Sequence, residues 1–204
     1  MSSTPVGSTV RDVVHAANGT GPLFQRDYVG VLSGGSDSPE SLGKIVRERF
    51  VEFGPPETAA FEHDGGTKGA PLQVGDELAI RIGGFMPCRV RVVHVDDTSL
   101  TLRTMAGHPE AGRITFRSSR DDQGRLNFCI RSRARAGGLI HYIGFLVLGR
   151  TMQARCWIRF IGKVAEACGA RLEGPVRVST RRVQEDPSDC EGCDHSTFEC
   201  DPGA

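Results

Sequence analysis

The chain has 204 residues, 38% of them hydrophobic and 25% charged, a balance that fits one globular core with extensions. Its 25 basic residues are matched by 25 acidic ones, so it lacks the net positive field that nucleic-acid and anionic-membrane binders use, and neither partner is expected. All the basic residues except Lys44, Lys68 and Lys163 are arginine, which reads as compositional bias rather than phosphate recognition.

Residues 1–21 are rich in Ser, Thr and Gly, with a short apolar patch at Val13 and Val14, and are expected to form a loose arm. The start, Met1-Ser2-Ser3-Thr4-Pro5, shows no basic segment followed by an apolar run, which predicts a cytoplasmic protein. A domain is expected over 22–178. Tyr28 to Leu32 reads as its first strand, and Ser33-Gly34-Gly35-Ser36-Asp37 as a turn. Ser38 then supplies an N-cap and Pro39 sits at the first helical position, where its missing N–H costs nothing. Leu42, Ile45, Val46, Phe50 and Phe53 recur at helical spacing until Gly54-Pro55-Pro56 stops the pattern, and a polar, Gly-rich loop follows over residues 62–70.

From Val74 the period changes to two. Val74 to Ile82, Cys88 to Val95, Leu100 to Thr104, Ile114 to Ser118 and Leu126 to Ala134 each alternate apolar and polar residues. Asp121-Asp122-Gln123-Gly124 is a hairpin turn between the last two. The final strand sets Phe128, Ile130 and Ser132 on one side and Arg131, Arg133 and Arg135 on the other, one buried face and one wet. After Gly137-Gly138, Leu139 to Cys168 reads as a helix spanning about 45 Å, long enough to cross a sheet. Its most apolar run, Leu139 to Leu148, is far short of the roughly 20 residues needed to cross a bilayer. The order predicts an α+β fold: a curved antiparallel sheet wrapped on a long C-terminal helix.

Several blocks also resemble one family. Val74-Gly75-Asp76-Glu77-Leu78, Pro87 to Val95, Leu102-Arg103-Thr104, Gly107 to Ile114, Arg131 to Arg135 and Gln153-Ala154-Arg155-Cys156-Trp157 are similar to the domain of unknown function 1990 family, as is Arg26-Asp27-Tyr28. The resemblance covers residues 24–168 and implies architecture, with no activity or catalytic residues to carry over. By topology the arrangement looks like the helix-grip group (START and Bet v 1-like), in which sheet and helix enclose a ligand, an analogy of fold only.

If the apolar side of each strand faces the helix, the alternation also turns His94, Thr104, Ser118 and Ser132 inward, and apolar walls with a few convergent polar groups suit a small-molecule site. His94 can act as an acid or base near neutral pH, or sit as a core-edge histidine satisfied by backbone. His108 and Glu110, two residues apart around Pro109, can orient one another for proton transfer, or form a structural connection between strands. On the helix, His141 and Tyr142 fall where a cavity mouth would be, with Gln153 and Arg155 deeper. Arg155 can bind a carboxylate or carbonyl, or pair with an acidic residue at the sheet edge. No nucleophile elbow, dinucleotide fingerprint or phosphate loop occurs, and no cofactor is expected.

Residues 179–204 are expected to be an acidic, Cys-containing and disordered tail. From Glu185 onward it holds seven acidic residues, no Lys or Arg, and the spacing Cys190-x-x-Cys193-x-His195-x-x-x-x-Cys200. These four side chains suffice for tetrahedral zinc, although the gap between Cys193 and His195 is tighter than in common zinc patterns. The tail can alternatively lie against Arg131, Arg133 and Arg135. Three functions follow: carriage of an apolar or amphipathic small molecule, a cofactor-independent cyclase, dehydratase or isomerase acting on a polyketide-like substrate, or a protein-interaction module with no pocket.

Overall fold

The computed structural model describes residues 13–35, 38–64, 69–137 and 150–184. Among the described residues are nine strands: β1 (Thr20–Ser33), β2 (Ala59–His63), β3 (Glu77–Ile82), β4 (Met86–Val95), β5 (Ser99–Thr104), β6 (Glu110–Arg120), β7 (Leu126–Ala136), β8 (Arg171–Leu172) and β9 (Arg177–Val183). Two α-helices accompany them among these residues, α1 (Pro39–Phe53) and α2 (Arg150–Ala167). All strands join one antiparallel sheet in the order β2-β3-β4-β5-β6-β7-β1-β8, with β9 also on β1. The sequence-adjacent strands β2 to β7 are neighbours, and short connections join β3 through β7. The exception is β1, which closes on β7 with Tyr28 opposite Ile130.

Helices α1 and α2 share the inner side of this sheet, which is the helix-grip arrangement expected from the order of elements. Leu42, Val46, Phe50 and Phe53 of α1 and Cys156, Trp157, Phe160, Ile161 and Val164 of α2 form one core with Val90, Val92, Leu102, Phe116 and Phe128. Phe160 is fully buried, its ring 5.2 Å from both Phe50 and Phe116 and 5.8 Å from Trp157. Such offset and edge-on pairs add to the area they bury.

Local chemistry explains the element boundaries. Ser38 caps α1 by accepting a hydrogen bond from the Ser41 amide, and Pro39 occupies the first turn. At Gly124, φ of +76° closes the β6–β7 hairpin, where Asp121 Oδ1 accepts from the Arg125 amide at 2.9 Å. Gly43 matters for packing: a Cβ there would lie 2.2 Å from the Asp97 carbonyl oxygen, so only glycine lets α1 approach the β4–β5 turn.

Three features depart from the local reading. First, β1 is longer than Tyr28 to Leu32. Second, Ala59–His63 forms β2, which takes in the first two residues of the polar loop expected over residues 62–70. Third, Arg177–Val183 forms a strand on β1, so the expected boundary at residue 178 falls inside the sheet. Six of the seven β9 residues are exposed, which is why no apolar phase marked it. No described helix is long and apolar enough to cross a membrane.

Candidate functional site

The inner face changes character toward the start of β6. There Gly112, Ala134 and Ala136 are small, and they leave room for longer side chains from three elements. Arg26 enters from β1, where it pairs with Ser132 and shares the inward phase of Tyr28 and Leu32. Glu110 opens β6, held after the turn by His108, whose Nδ1 accepts from the Glu110 amide at 3.0 Å. Gln153 comes from α2. Arg26 Nη1 donates to Glu110 Oε1 at 3.3 Å, and Gln153 Nε2 donates to Glu110 Oε2 at 3.2 Å. Both oxygens of one carboxylate are thereby engaged by groups far apart in sequence.

Burial dominates the electrostatics of this cluster. The Arg26 side chain is 2% exposed and that of Glu110 14%. Removal from water pushes the Glu110 carboxyl above its ordinary value, opposed by the charge and hydrogen bond of Arg26 and by Gln153. Burial likewise raises the Tyr28 phenol, against the pull of Arg26, while Glu110 adds to the rise. The Cys88 thiol is pushed up to about 12 by burial and then by the Glu110 charge. Cys156 rises to about 11, again mainly by burial. Neither thiol is a poised nucleophile at neutral pH.

Two polar atoms of α2 complete the picture. Gln153 Oε1 and Trp157 Nε1 are buried without a hydrogen-bond partner, and they sit one turn apart on one helix. Unsatisfied buried groups are rare enough in proteins to call for a ligand or water. A cleft of about 260 Å³ lies elsewhere, on β2, β3 and β4: Ala60, Glu62, Ala79, Arg81, Pro87 and Arg89 of its lining share the side of the sheet opposite the helices, and none of Arg26, Glu110, Gln153 and Trp157 lines it.

The residues singled out in the sequence are dispersed. Glu110 and Gln153 meet in the cluster. His108 bonds the backbone of Glu110 rather than its carboxylate. Thr104 is buried at the β5–β6 pair, where Oγ1 accepts from the Gly112 amide at 3.0 Å, and Ser118 Oγ donates to the Pro39 carbonyl at 2.6 Å. Ser132 is buried beside Arg26. His94 does not face inward: a register shift between Val92 and His94 places it opposite Thr101, and its Nε2 lies 3.0 Å from Asp96 Oδ2. Arg155 is exposed on the outward side of α2, because the helical period that buries Cys156 and Trp157 turns it to water. His141, Tyr142 and the tail residues Cys190, Cys193, His195 and Cys200 lie outside the described residues. Among the described residues, no group of His, Cys, Asp or Glu side chains is arranged to hold a metal ion.

Arg26 and Tyr28 escaped notice as site residues. The available signal was an arginine in phase with apolar neighbours: Arg26 falls on the same side of its strand as Tyr28, Gly30 and Leu32.

Comparison with solved structures finds a hypothetical protein of Helicobacter pylori at TM-score 0.51 and 10% identity, covering 71% of this chain and 87% of that one. A conserved protein from Geobacillus kaustophilus has TM-score 0.49 and 12% identity, over 71% of this chain and 95% of its own. A major latex-like protein of Panax ginseng has TM-score 0.36 and 17% identity, over 65% of this chain and 98% of its own. These likenesses concern the fold alone. No curated protein matches the chain in sequence. The family model described as Domain of unknown function (DUF1990) matches residues 47–163, more than half of the chain, which therefore belongs to the DUF1990 family.

Proposed function

We propose that the chain binds an apolar or amphipathic small molecule between sheet and α2, with the molecule's polar end at Arg26, Glu110 and Gln153. The observation that carries this reading is the pair of buried, unpartnered atoms, Gln153 Oε1 and Trp157 Nε1, beside a satisfied carboxylate in an otherwise apolar face. A ligand offering both a donor and an acceptor would satisfy them, while apolar walls supply affinity.

Trp157 is the only tryptophan of the chain and reports on the site directly. Titration with the amphipathic fluorophore anilinonaphthalene sulfonate is expected to quench Trp157 emission saturably by energy transfer. Gln153→Leu should weaken that binding about tenfold, the scale of one lost hydrogen bond. Absence of saturable quenching, or indifference to Gln153→Leu, would overturn the reading.

The upward-shifted Glu110 carboxyl favours a second reading, a cofactor-independent cyclase, dehydratase or isomerase on a polyketide-like substrate. A carboxyl raised above its ordinary value by burial is suited to donate and recover a proton beside a bound carbonyl. In that case Glu110→Gln abolishes turnover while leaving binding nearly intact.

A further inference from the structure

The outer face of the sheet carries a charge imbalance that the ligand site does not use. On β1, β5, β6 and β7 the outward positions hold Arg103, Arg113, Arg117, Arg131, Arg133 and Arg135 against a single carboxylate, Asp27. Asp27 accepts from Arg131, and Gln25 Oε1 accepts from Arg133 Nε at 2.8 Å, so β1 answers only part of the charge. Yet this polar face is not wet. Thr101 and Asn127 are 0% exposed, Cys129 1% and Thr115 2%.

The described chain that reaches this side is the segment 13–19. It touches the end of the face marked by Arg103, Ala111 and Arg135, with His15 Nδ1 2.7 Å from Arg103 Nη1. By strand register, Thr115, Cys129 and Asn127 lie progressively farther from that end. A second observation points to what covers them. Cys129 is disulfide-bonded, whereas Cys88, Cys156 and Cys168 are free. The remaining cysteines of the chain are Cys190, Cys193 and Cys200.

We propose that the outer arginine face is a docking surface for this chain's own residues 185–204, clasped there by a disulfide between Cys129 and a cysteine of that segment. Charge selects this occupant: the segment has seven acidic residues and no Lys or Arg, whereas residues 1–12 carry one Arg and one Asp. Reach permits it as well. β9 ends with Val183 opposite Leu23, at the end of β1 that pairs with the Arg135 end of β7. From there to Cys129 is about 20 Å along β7, and the seven residues from Gln184 to Cys190 extend at least as far. Forming the clasp joins two sulfurs and releases two protons and two electrons. A low-molecular-weight disulfide accepts the electrons and leaves as two thiols.

The full chain is equilibrated with oxidised glutathione, alkylated and digested with trypsin without reduction. The expected product is fragment 126–131 linked to fragment 183–204. Recovery of 126–131 as an alkylated thiol or a glutathione adduct would overturn the clasp. So would linkage to 183–204 of a second copy, seen as mixed-isotope pairs when labelled and unlabelled protein are combined. The charge component is tested in Cys129→Ser by cleavage after Glu185, Glu191 and Glu199, measured against the free peptide 183–204. Cleavage should be about tenfold slower than in the peptide at 0.01 M salt, approaching the peptide rate at about 1 M salt as screening shortens. Equal rates at both concentrations would refute electrostatic docking.

Discussion

Arg26 and Glu110 stand 84 residues apart in the chain and meet at 3.3 Å inside it, the guanidinium of β1 facing the carboxylate that opens β6. An ion pair so far from water gains little net stability when intact, because desolvation offsets the attraction. Removing one partner is a different matter, since the other charge is then stranded.

Arg26→Met should therefore cost about 3–5 kcal/mol, and the double change Arg26→Met with Glu110→Leu should recover most of it. Urea denaturation of the two single variants and the double variant measures this coupling directly. Losses that simply add would show that the pair acts as two independent packing residues.

Asp96 gives the fold a pH dependence of known sign. Burial alone would raise its carboxyl, but Ser99 Oγ, His94 and the amides of Thr98 and Ser99 hold it well below the ordinary carboxylate range. The folded state thus binds fewer protons than the unfolded chain, so the stabilisation is present above pH of about 4 and lost as pH falls below that value. Asp96→Asn should cost about 1 kcal/mol at pH 7, a modest figure because the side chain is 46% exposed, and progressively less as the pH falls from about 4 toward 2. Glu110 has the opposite sign: its raised carboxyl favours the folded state in acid and loses that advantage as pH rises through its folded value. Thermal melts of wild type and Asp96→Asn from pH 2 to 7 separate the two slopes. A gap between them that does not change with pH would refute the assignment to Asp96.

Two glycines in helices should respond oppositely to alanine. At Gly43 the new Cβ meets the Asp97 carbonyl oxygen at 2.2 Å, and the resulting shift of α1 should cost about 1–3 kcal/mol. The helix-propensity gain of about 0.5–1 kcal/mol is too small to offset it. At Gly162 nothing lies within 4 Å, so that same gain should appear as added stability. Denaturation midpoints of Gly43→Ala and Gly162→Ala provide the check, and destabilisation of both would contradict the packing described for α2.

Much of this was legible in the chain itself. Alternation of period two located β3 to β7, and the Ser38-Pro39 start and Gly54-Pro55-Pro56 stop bracketed α1, because these signals are set by neighbours within a few residues. Family membership was legible for the same reason, carried by contiguous blocks from β3 to α2. Strand β9 was not, since its exposed arginine-rich residues have no apolar phase and its pairing depends entirely on the edge that β1 offers. His94 was misplaced by one register shift: strict alternation predicts an inward side chain, and the irregularity after Val92 reverses it.

The sequence by itself determined β3 to β7 and α1, and that a helix follows the sheet, described over Arg150–Ala167; the start of that expected helix, residues 139–149, lies outside the described residues. Only the tertiary structure decided that β1 closes on β7, and this brings Arg26 to Glu110 while Gln153 descends from α2. Local periodicity encodes which face a residue occupies. Which distant residues share that face is fixed by strand order and by the packing of α2 on the sheet, where burying the common core outweighs any preference of the segments alone.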